Sequence, residues 1–529
     1  MTQHDAIVVG TGFAGLYMLH RLHAQGLNAI VLEQGSDVGG TWYWNRYPGA
    51  RCDNESLGYS YSFLPDLDQE WSWPERYSEQ PVILRYLNTV ADRLDLRRDI
   101  RFDTRVEAAR FDEQSSTWAV STAQGETLTA RYLVMATGCL SVPNWPEIPG
   151  RDDFDGDVLH TALWPHEDYD FTGKTVAVIG TGSTAIQSIP KIAEQARTLT
   201  VFQRTANHCV PAQNMPMDPE VEAERKAHYP EIRAKSRLTR SGDFVPQGEV
   251  TLMALSSDKQ QRILEDCWQQ GGFYTQYPFN DVLTDPNANA IVTAFSHDQI
   301  RKRVKDPAVA ELLCAKDHPF GTKRLCADTN YFETYNLDHV HLVNLKSTPI
   351  KAITASGIRT SARDHEVDVI VFATGFDAMT GALTSIDIEG RDGLRLRDKW
   401  AEGTRALLGV AMNGFPNLFT VTGPGSPSVM INVVPAIEQH VEWIDRCIDW
   451  MEQRGAQTIE PEARAEDAWV EHVNETANAT LFPQANSWYM GANIPGKPRM
   501  FMPYVGGLGD FRRRCDEIAD EGYSGFAVT

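Results

Sequence analysis

The chain has 529 residues, a formal net charge of −22 and 42% hydrophobic residues. This length exceeds what one hydrophobic core can hold, so we expect about two to four packed domains. The negative charge argues against nucleic acid and against an anionic membrane surface as partners.

The first predicted strand, 6–9, leads into the turn Gly10-x-Gly12-x-x-Gly15, which the helical sequence LYMLHRLHAQG follows. Three glycines at this spacing occur by chance in about one chain in five, so the glycines alone are a weak signal. The strand before them and the helix after them make a dinucleotide-binding turn the favoured interpretation. Such a turn presents backbone N–H groups and the positive end of a helix dipole to a pyrophosphate. The next strand, 28–32, ends at Glu33, whose carboxylate can bind ribose hydroxyls and repels a 2′-phosphate. The first site is therefore predicted to bind FAD or NAD.

A second turn, Gly180-x-Gly182-x-x-Ala185, follows the predicted strand 175–179. The strand after it, 199–202, is followed by Arg204, at nearly the offset that Glu33 has from the first turn. A guanidinium suits a 2′-phosphate, so the second site is predicted to bind NADPH. FAD together with NADPH indicates a flavin-dependent oxidoreductase.

Two apolar strands, 132–135 and 369–372, each end in Ala-Thr-Gly. In flavoproteins with two dinucleotide sites, such strand ends mark where the chain passes between cofactor domains; two ordinary buried strands are the alternative. The segment 222–326 contains helical runs such as DKQQRILEDCWQQ and is predicted to be a helical insertion.

Between the two strands that end in Ala-Thr-Gly lies the pattern Phe154-x-Gly156-x-x-x-His160-x-x-x-Trp164-Pro165. All five identities at that spacing are expected by chance on the order of once in twenty thousand chains. The pattern resembles a fingerprint of the type I Baeyer–Villiger monooxygenases, and the stretch GGTWYWNRYPGARCD at 39–53 resembles a second one. Further matches are Lys323-Arg324, GPGSPS at 423–428, EQHVEW at 438–443 and SWYMGANIPGKPR at 487–499. The resemblance covers essentially the whole chain and is strongest to the phenylacetone monooxygenase branch, then to cyclohexanone monooxygenases.

The resemblance implies an α/β fold with two Rossmann-like dinucleotide-binding domains, for FAD and NADP, and a helical insertion. The implied segments are 1–141 for the first part of the FAD domain, 142–221 for the first part of the NADP domain, 222–326 for the insertion, 327–376 for the second part of the NADP domain, and 377–529 for the second part of the FAD domain.

The resemblance also implies an NADPH- and FAD-dependent monooxygenase that inserts one oxygen atom of O2 next to a ketone carbonyl. NADPH reduces FAD, O2 gives a C4a-peroxyflavin, and the product is an ester or lactone. The family's catalytic arginine corresponds to Arg324, which keeps the peroxide anionic because a guanidinium does not give up its proton. Its partner corresponds to Asp53, which would orient Arg324. From the residues alone, both would be ordinary solvated or loop side chains.

The family's cofactor contacts correspond to two sets of residues. The FAD set is Gly10, Gly12, Ala14, Gly15, Glu33, Gly40, Thr41, Trp42, Tyr43, Trp44, Asp53, Tyr59, Val106 and Val433. The NADP set is Arg51, Gly180, Gly182, Ser183, Thr184, Ala185, Gln187, Arg204, Thr205, Lys323, Arg324 and Trp488.

The expected substrate-pocket residues are Asn54, Cys139, Val429, Met430 and Ile431. Asn54 and Cys139 depart from the phenylacetone branch, which leaves the ketone open, with a bulky or aromatic one favoured. The fingerprint residues, His160 included, are expected to order the connection between cofactor domains rather than to transfer protons. The loop 486–499, with Trp488 at its start, is expected to be a mobile lid over the nucleotide, with a plain surface loop as the alternative.

Three other functions are weighed against this one. A flavin monooxygenase that oxidises nitrogen or sulfur would not need Arg324, and such relatives typically lack the Trp164-Pro165 ending. A flavoprotein disulfide reductase needs a redox cysteine pair, whereas the eight cysteines are scattered. A non-catalytic nucleotide-sensing or electron-transfer protein is the third. We expect O2 and a ketone as partners, no nucleic acid, metal or membrane, reduced thiols, a cytoplasmic location, and a monomer, with a dimer as the alternative.

Overall fold

Two sheets dominated by parallel strands organise the chain in the computed structural model, which describes residues 2–529. The strands in chain order are β1 (Thr2–Val9), β2 (Ala29–Leu32), β3 (Ile100–Arg101), β4 (Val106–Asp112), β5 (Thr117–Thr122), β6 (Thr127–Met135), β7 (Asp157–His160), β8 (Thr175–Ile179), β9 (Thr198–Gln203), β10 (Cys209–Pro211), β11 (Cys326–Asp328), β12 (Val340–Asn344), β13 (Ile350–Thr354), β14 (Gly357–Thr360), β15 (Asp364–Glu366), β16 (Val369–Phe372), β17 (Asp387–Glu389), β18 (Leu418–Thr420), β19 (Ile459–Pro461) and β20 (Phe526–Val528).

The α-helices follow the strands in the alternation expected of nucleotide-binding folds. They are α1 (Phe13–Ala24), α2 (Thr41–Trp44), α3 (Pro65–Glu70), α4 (Gln80–Arg93), α5 (Ser183–Ala193), α6 (Pro219–Ala227), α7 (Tyr229–Ser236), α8 (Ser257–Gln270), α9 (Pro286–Arg303), α10 (Pro307–Leu313), α11 (Tyr331–Thr334), α12 (Gly381–Thr384), α13 (Leu396–Lys399), α14 (Val433–Arg454), α15 (Ala463–Asn478) and α16 (Leu508–Asp520).

The first sheet has the order β17-β4-β5-β6-β1-β2-β3, and β18 also pairs with β6. β1 runs parallel to both β2 and β6, with Val9 opposite Leu32 on one side and Met135 on the other. Their Val, Ile and Leu side chains are buried because α1, α4 and α14 pack on one face and residues of β4, β5 and the segment 383–418 pack on the other. The predicted strands at 6–9 and 132–135 are confirmed, and the one at 28–32 begins one residue later.

The second sheet has the order β12-β9-β8-β16-β7, with every pair parallel. β16 lies between the predicted strand β8 and the fingerprint strand β7, so that Phe372 is opposite both Ile179 and His160. The carboxyl ends of β8 and β16 therefore lie side by side, where ligands bind in open α/β sheets. The predicted strands of this unit are confirmed.

Helices α6 to α10 lie between β10 and β11 and form the segment predicted as an insertion. Of these helices, α8 and α9 contribute to an aromatic core that includes Phe273, Phe279, Phe295 and Phe320. β10 and β11 pair in parallel, with Cys209 opposite Cys326, and this pairing joins the two ends of the segment. Arg324 lies two residues before this pairing and is thereby fixed close to the second sheet.

The architecture confirms the predicted α/β class with parallel sheets. Within residues 2–529, no helix is both long enough and apolar enough to cross a membrane. All eight cysteines are free thiols, and seven of them are buried.

Candidate functional site

The first glycine turn is shaped by close backbone contacts. Gly10 has φ +101°, and a Cβ there would lie 2.7 Å from the carbonyl oxygen of Ala136. A Cβ on Gly15 would lie 1.8 Å from the oxygen of Gly10, so no side chain fits at that position. Gly12 caps α1 without any side-chain hydrogen bond, and the first turn of α1 holds no acidic residue. The helix N-terminus is therefore left available for an anion.

Glu33 lies at the end of β2 next to this turn, and the fold holds its carboxylate in place. One carboxylate oxygen accepts hydrogen bonds from the Thr11 backbone N–H and hydroxyl, each at 2.8 Å, and the other accepts from Gly35 N–H at 2.7 Å. Each carboxylate oxygen can accept more than one bond, so capacity remains for ribose hydroxyls. This arrangement fits an adenosine without a 2′-phosphate.

The second family stretch packs directly against the first turn. A Cβ on Gly40 would lie 2.7 Å from the Cα of Gly12, so the two backbones are in contact. α2 begins at the next residue, and its Trp42 donates a hydrogen bond to Tyr59 at 3.3 Å. Residues of this stretch, predicted to bind FAD from the resemblance, are thus gathered beside the turn. The other predicted FAD residues sit on α1, α2, β4 and α14: Ala14, Tyr43, Trp44, Val106 and Val433.

The second glycine turn repeats this geometry but leaves more space. Gly180 has φ +118°, and a Cβ there would lie 2.3 Å from the oxygen of Ala373. A Cβ on Gly182, in contrast, would meet no atom within 4 Å. Gly182 also caps α5 without a side-chain hydrogen bond. This open space at an uncapped helix N-terminus fits a second pyrophosphate.

Two cations lie next to the second turn. Arg204 is exposed and makes no hydrogen bond or ion pair with residues 2–529. Burial lowers the pKa of Lys323, Asp317 raises it, and the charge of Arg204 lowers it again, which shows that the two cations are neighbours in space. Two neighbouring cations, of which Arg204 has no acid partner among residues 2–529, fit a phosphate group. Thr205 accepts a hydrogen bond from the Thr181 hydroxyl at 2.8 Å through its backbone oxygen.

The remaining predicted NADP residues have protein partners. Arg51 donates to Glu75 at 3.0 Å and to Glu79 at 2.7 Å, so it differs from Arg204 in being neutralised by two acids. Gln187 of α5 accepts from the Tyr47 hydroxyl at 2.8 Å and links this helix to the second family stretch. Side-chain contacts also involve Ser183, which lies 3.2 Å from the Cys326 sulfur, and Thr184, which lies 3.3 Å from the Thr161 hydroxyl.

Arg324 and Asp53 form the central ion pair. The Nε of Arg324 donates to one Asp53 oxygen at 2.8 Å, and Nη2 donates to the other at 2.6 Å. Nη1 donates to the backbone oxygen of Val429 at 2.9 Å, and the guanidinium lies 4.9 Å from the centre of the Phe273 ring. Burial opposes the charge, but Asp53 outweighs it, so the pKa of Arg324 is held well above its usual value.

A cavity of about 240 Å³ opens beside Arg324. Of the five predicted pocket residues, Met430 and Ile431 line this cavity, whereas Asn54, Cys139 and Val429 are outside its lining. Asn54 is buried next to Asp53 with its side-chain oxygen unpaired. Cys139 and Val429 pack together in a neighbouring apolar cluster that includes Trp488.

Comparison with known proteins decides the family. A family model described as pyridine nucleotide-disulphide oxidoreductase matches residues 7–235. A Baeyer–Villiger monooxygenase of Pseudooceanicola batsensis is 46% identical, over 98% of this chain and 95% of that protein. The chain belongs to the Baeyer–Villiger monooxygenase family. The structure of an oxidized steroid monooxygenase bound to NADP has a TM-score of 0.95 and 51% identity, and the alignment covers 100% of this chain and 99% of that one.

Another relative oxidises nitrogen, according to its name. It is phenazine N-monooxygenase PhzNO1 of Lysobacter antibioticus, 44% identical over 100% of this chain and 97% of that protein. The predicted class of enzyme, a flavin- and NADPH-dependent monooxygenase, is confirmed, as is the predicted cofactor pair.

In this Baeyer–Villiger monooxygenase, His160 of the fingerprint joins the two connections between the sheets. It is buried, its Nδ1 accepts from Ala162 N–H at 3.0 Å, and its Nε2 lies 3.4 Å from the oxygen of Asn144 and 3.3 Å from the hydroxyl of Thr374. Because Nδ1 accepts, the proton is assigned to Nε2. Burial lowers the pKa of His160 to about 4. The ring is therefore neutral near pH 7.

The other fingerprint residues have packing contacts. A Cβ on Gly156 would lie 2.4 Å from the oxygen of Asp368, so the glycine permits β7 to approach the neighbouring chain. Phe154 packs on one apolar cluster of the second sheet, and Trp164, which precedes Pro165, is buried in the other.

The loop 486–499 is folded onto the connection at 376–378. Lys497 forms a 2.6 Å ion pair with Asp377 and donates to the oxygen of Ala378 at 2.7 Å, while Asn493 donates to the oxygen of Phe376 at 2.7 Å. Trp488 lies in a short 3-10 turn, Trp488–Met490, and packs against Tyr489. The loop is thus held by specific contacts.

Sequence reasoning missed most of the cavity wall. The insertion contributes Phe273, Gln276, Tyr277, Phe279, Asn280 and Leu283, and later segments add Phe482, Tyr489, Tyr504 and Val505. The aromatic run GGFYTQYPF at 271–279 was a usable signal, because an aromatic cluster between two helices indicates a buried surface. Arg240 and Ser241, also on the wall, had no such signal.

Proposed function

We propose that this family member oxygenates ketones in the cavity beside Arg324 and releases esters or lactones. The observation that carries the proposal is that Arg324, held by two hydrogen bonds to Asp53, lies on the wall of a cavity that apolar side chains such as Met430 and Ile431 also line. Bound NADPH supplies the hydride, and bound FAD supplies the reduced flavin that activates O2. The protein residues must bind both nucleotides, keep charge in the cavity fixed and exclude water.

Arg324 is proposed as the catalytic cation. Oxygen addition to a ketone carbonyl develops negative charge on oxygen, and a guanidinium stabilises that charge while keeping its own proton. Asp53 is proposed to orient Arg324, since two parallel hydrogen bonds fix the plane of the guanidinium. The hydrogen bond from Nη1 of Arg324 to the backbone oxygen of Val429 fixes the third nitrogen of the guanidinium.

The dinucleotide roles follow from the two turns. We assign the first turn and Glu33 to FAD, because the carboxylate excludes a 2′-phosphate. We assign the second turn with Arg204, Thr205 and Lys323 to NADPH, because two neighbouring cations suit that phosphate. The domain segments 1–141 and 377–529 for FAD, and 142–221 and 327–376 for NADP, are proposed on the same basis.

The test replaces Arg324 by Ala in the full-length holoenzyme. We expect the variant to keep its FAD absorbance and to oxidise NADPH, yet to form no ester from a ketone that the wild type converts. Product mass analysis with labelled O2 measures the inserted oxygen. Arg513→Ala, which removes a surface arginine paired only with exposed or half-buried acids of its own helix, is the matched control. Ester formation at the wild-type yield by Arg324→Ala would remove the assigned role.

Nitrogen oxidation is the second candidate, favoured by the relative named phenazine N-monooxygenase. The same assay with a heteroaromatic amine in place of the ketone separates the two functions. An N-oxide from Arg324→Ala at the wild-type rate, with no ester from either enzyme, would favour nitrogen oxidation.

We further propose a cytoplasmic monomer, with a dimer as the alternative. The net charge of −22 and the free thiols support the location. Light scattering of the purified holoenzyme measures its mass, and a value twice that of the chain would favour the dimer.

A further inference from the structure

The cavity beside Arg324 is positively charged, although the chain as a whole is strongly acidic. Its lining includes Arg240, Lys323 and Arg324, and no Asp or Glu of the described residues 2–529 is part of the lining. The chain as a whole carries a net charge of −22, so a cavity lined by these cations and, among residues 2–529, by no carboxylate is opposite in charge to the rest of the protein. Arg324 is neutralised by Asp53, and Lys323 belongs to the phosphate site with Arg204. Arg240 remains without an assignment.

Arg240 has no partner within the described part of the chain. No hydrogen bond or ion pair of its guanidinium with residues 2–529 is present, although arginine is always charged and offers several N–H donors. Arg240 lines the cavity and is also exposed to solvent, so a dissolved ligand can reach its guanidinium. An accessible arginine on the wall of a cavity with no Asp or Glu of the described residues in its lining can bind an anion.

The fold fixes the place of this arginine. A Cβ on Gly507 would lie 2.7 Å from the Cγ of Arg240 and 2.8 Å from its Cα, so the side-chain stem packs directly on the glycine. The backbone oxygen of Arg240 accepts from Leu508 N–H at 2.9 Å. Because α16 begins at Leu508, the arginine is anchored to a regular helix. Only its guanidinium end is left to respond to a ligand.

We propose that Arg240 binds a carboxylate on the ketone substrate, so that the preferred substrates are keto acids. The inference rests on the proposed ketone oxygenation: the carbonyl is placed at Arg324 and the carboxylate at Arg240. The cavity wall includes the apolar side chains of Phe279, Leu283, Met430, Ile431 and Val505, which suit a hydrocarbon spacer. A neutral ketone of equal length fills the same space but leaves Arg240 unpaired.

The test compares a series of ω-keto acids with their methyl esters, at equal chain length, in the wild type and in Arg240→Gln. One charge-assisted hydrogen bond corresponds to a factor of about 10 to 100 in affinity. Because Arg240 is exposed and solvent screens its charge, we expect Arg240→Gln to raise KM for the acids about 10-fold and to change KM for the esters less than about twofold. Arg240→Lys keeps the charge without the planar fork and should recover part of the affinity.

Arg262→Gln is the matched control, because Arg262 is an exposed arginine of the same insertion, on α8, and lies outside the cavity lining. FAD content and melting temperature establish that each variant folds. In the wild type, a carboxylic acid without a ketone should inhibit oxygenation of a neutral ketone competitively, and this needs no variant. Equal effects on acids and esters, or an increased KM for NADPH instead, would overturn the proposal. Conversion of neutral ketones with no preference for acids would also overturn it while leaving the proposed function intact.

Discussion

Replacement of Arg204 by Gln tests the assignment of the NADPH site. Arg204 is exposed and makes no bond to the described residues, so its loss should change the free energy of unfolding by less than about 0.5 kcal/mol. The same loss removes a charge-assisted contact to the 2′-phosphate, which only NADPH carries. The experiment therefore separates binding from folding.

The magnitude follows from the neighbours of Arg204. A hydrogen bond to a charged group is worth about 1.5 to 3 kcal/mol, and an exposed one lies at the low end because solvent screens it. Lys323 remains beside the phosphate after the substitution. We therefore expect the ratio of kcat/KM for NADPH over NADH to fall about 10-fold, and the double change with Lys323→Gln to lower it further.

The assay is anaerobic flavin reduction by each nucleotide, followed at the flavin absorbance, which avoids the later oxygen chemistry. Arg197→Gln is the control, because Arg197 is an exposed arginine in the same unit, just before β9, whose nearest partners are Thr175 and Asp368. An unchanged ratio in Arg204→Gln, with unchanged melting temperature, would refute the assignment of the second turn to NADPH.

Two further changes test the connections between the sheets. His160→Ala should uncouple NADPH oxidation from product formation while FAD stays bound, and full coupling in the stoichiometry of NADPH to ester would contradict this. Because burial lowers the pKa of His160 from 6.5 to about 4, its contribution to stability is complete above about pH 6.5 and is lost as pH falls towards 4; His160→Gln should flatten that part of a melting-temperature profile. Lys497→Met removes the ion pair to Asp377 and should expose 486–499 to limited proteolysis, with partial protection by NADP+; equal cleavage rates in both proteins would show that the pair does not hold the loop.

The cofactor half of the molecule could be predicted from the sequence because local rules build it. A buried strand, a turn in which only glycine fits at Gly10 and Gly15, and a helix form each nucleotide unit within about 30 residues. The residue at the end of the next strand, Glu33 or Arg204, is then the basis for the proposed choice of nucleotide, and this choice needs no knowledge of distant contacts.

The reacting half could not be derived in this way. Asp53 and Arg324 are 271 residues apart, and no spacing rule connects them; the family resemblance was the only indication of the pair. The cavity wall is assembled from the segments 240–248, 273–283, 321–325, 430–431 and 482–507, which lie between α-helices, and long-range packing brings them together. Met430 and Ile431 were predicted only because they belong to a loop known from the resemblance.

The pairing of β10 with β11 explains how the two halves are joined. It returns the chain from the insertion to the second sheet at Cys326, whose sulfur lies 3.2 Å from Ser183 at the start of α5. Lys323 and Arg324 come shortly before Cys326 in the chain. They are adjacent in sequence but have different partners, because Lys323 lies near Arg204 and Arg324 binds Asp53. One short backbone segment therefore sets the positions of both the cation proposed to bind the phosphate and the cation proposed to act on the substrate. A shift of this segment would move Lys323 and Arg324 together, so the proposed phosphate contact and the guanidinium at the cavity wall are coupled through one stretch of backbone.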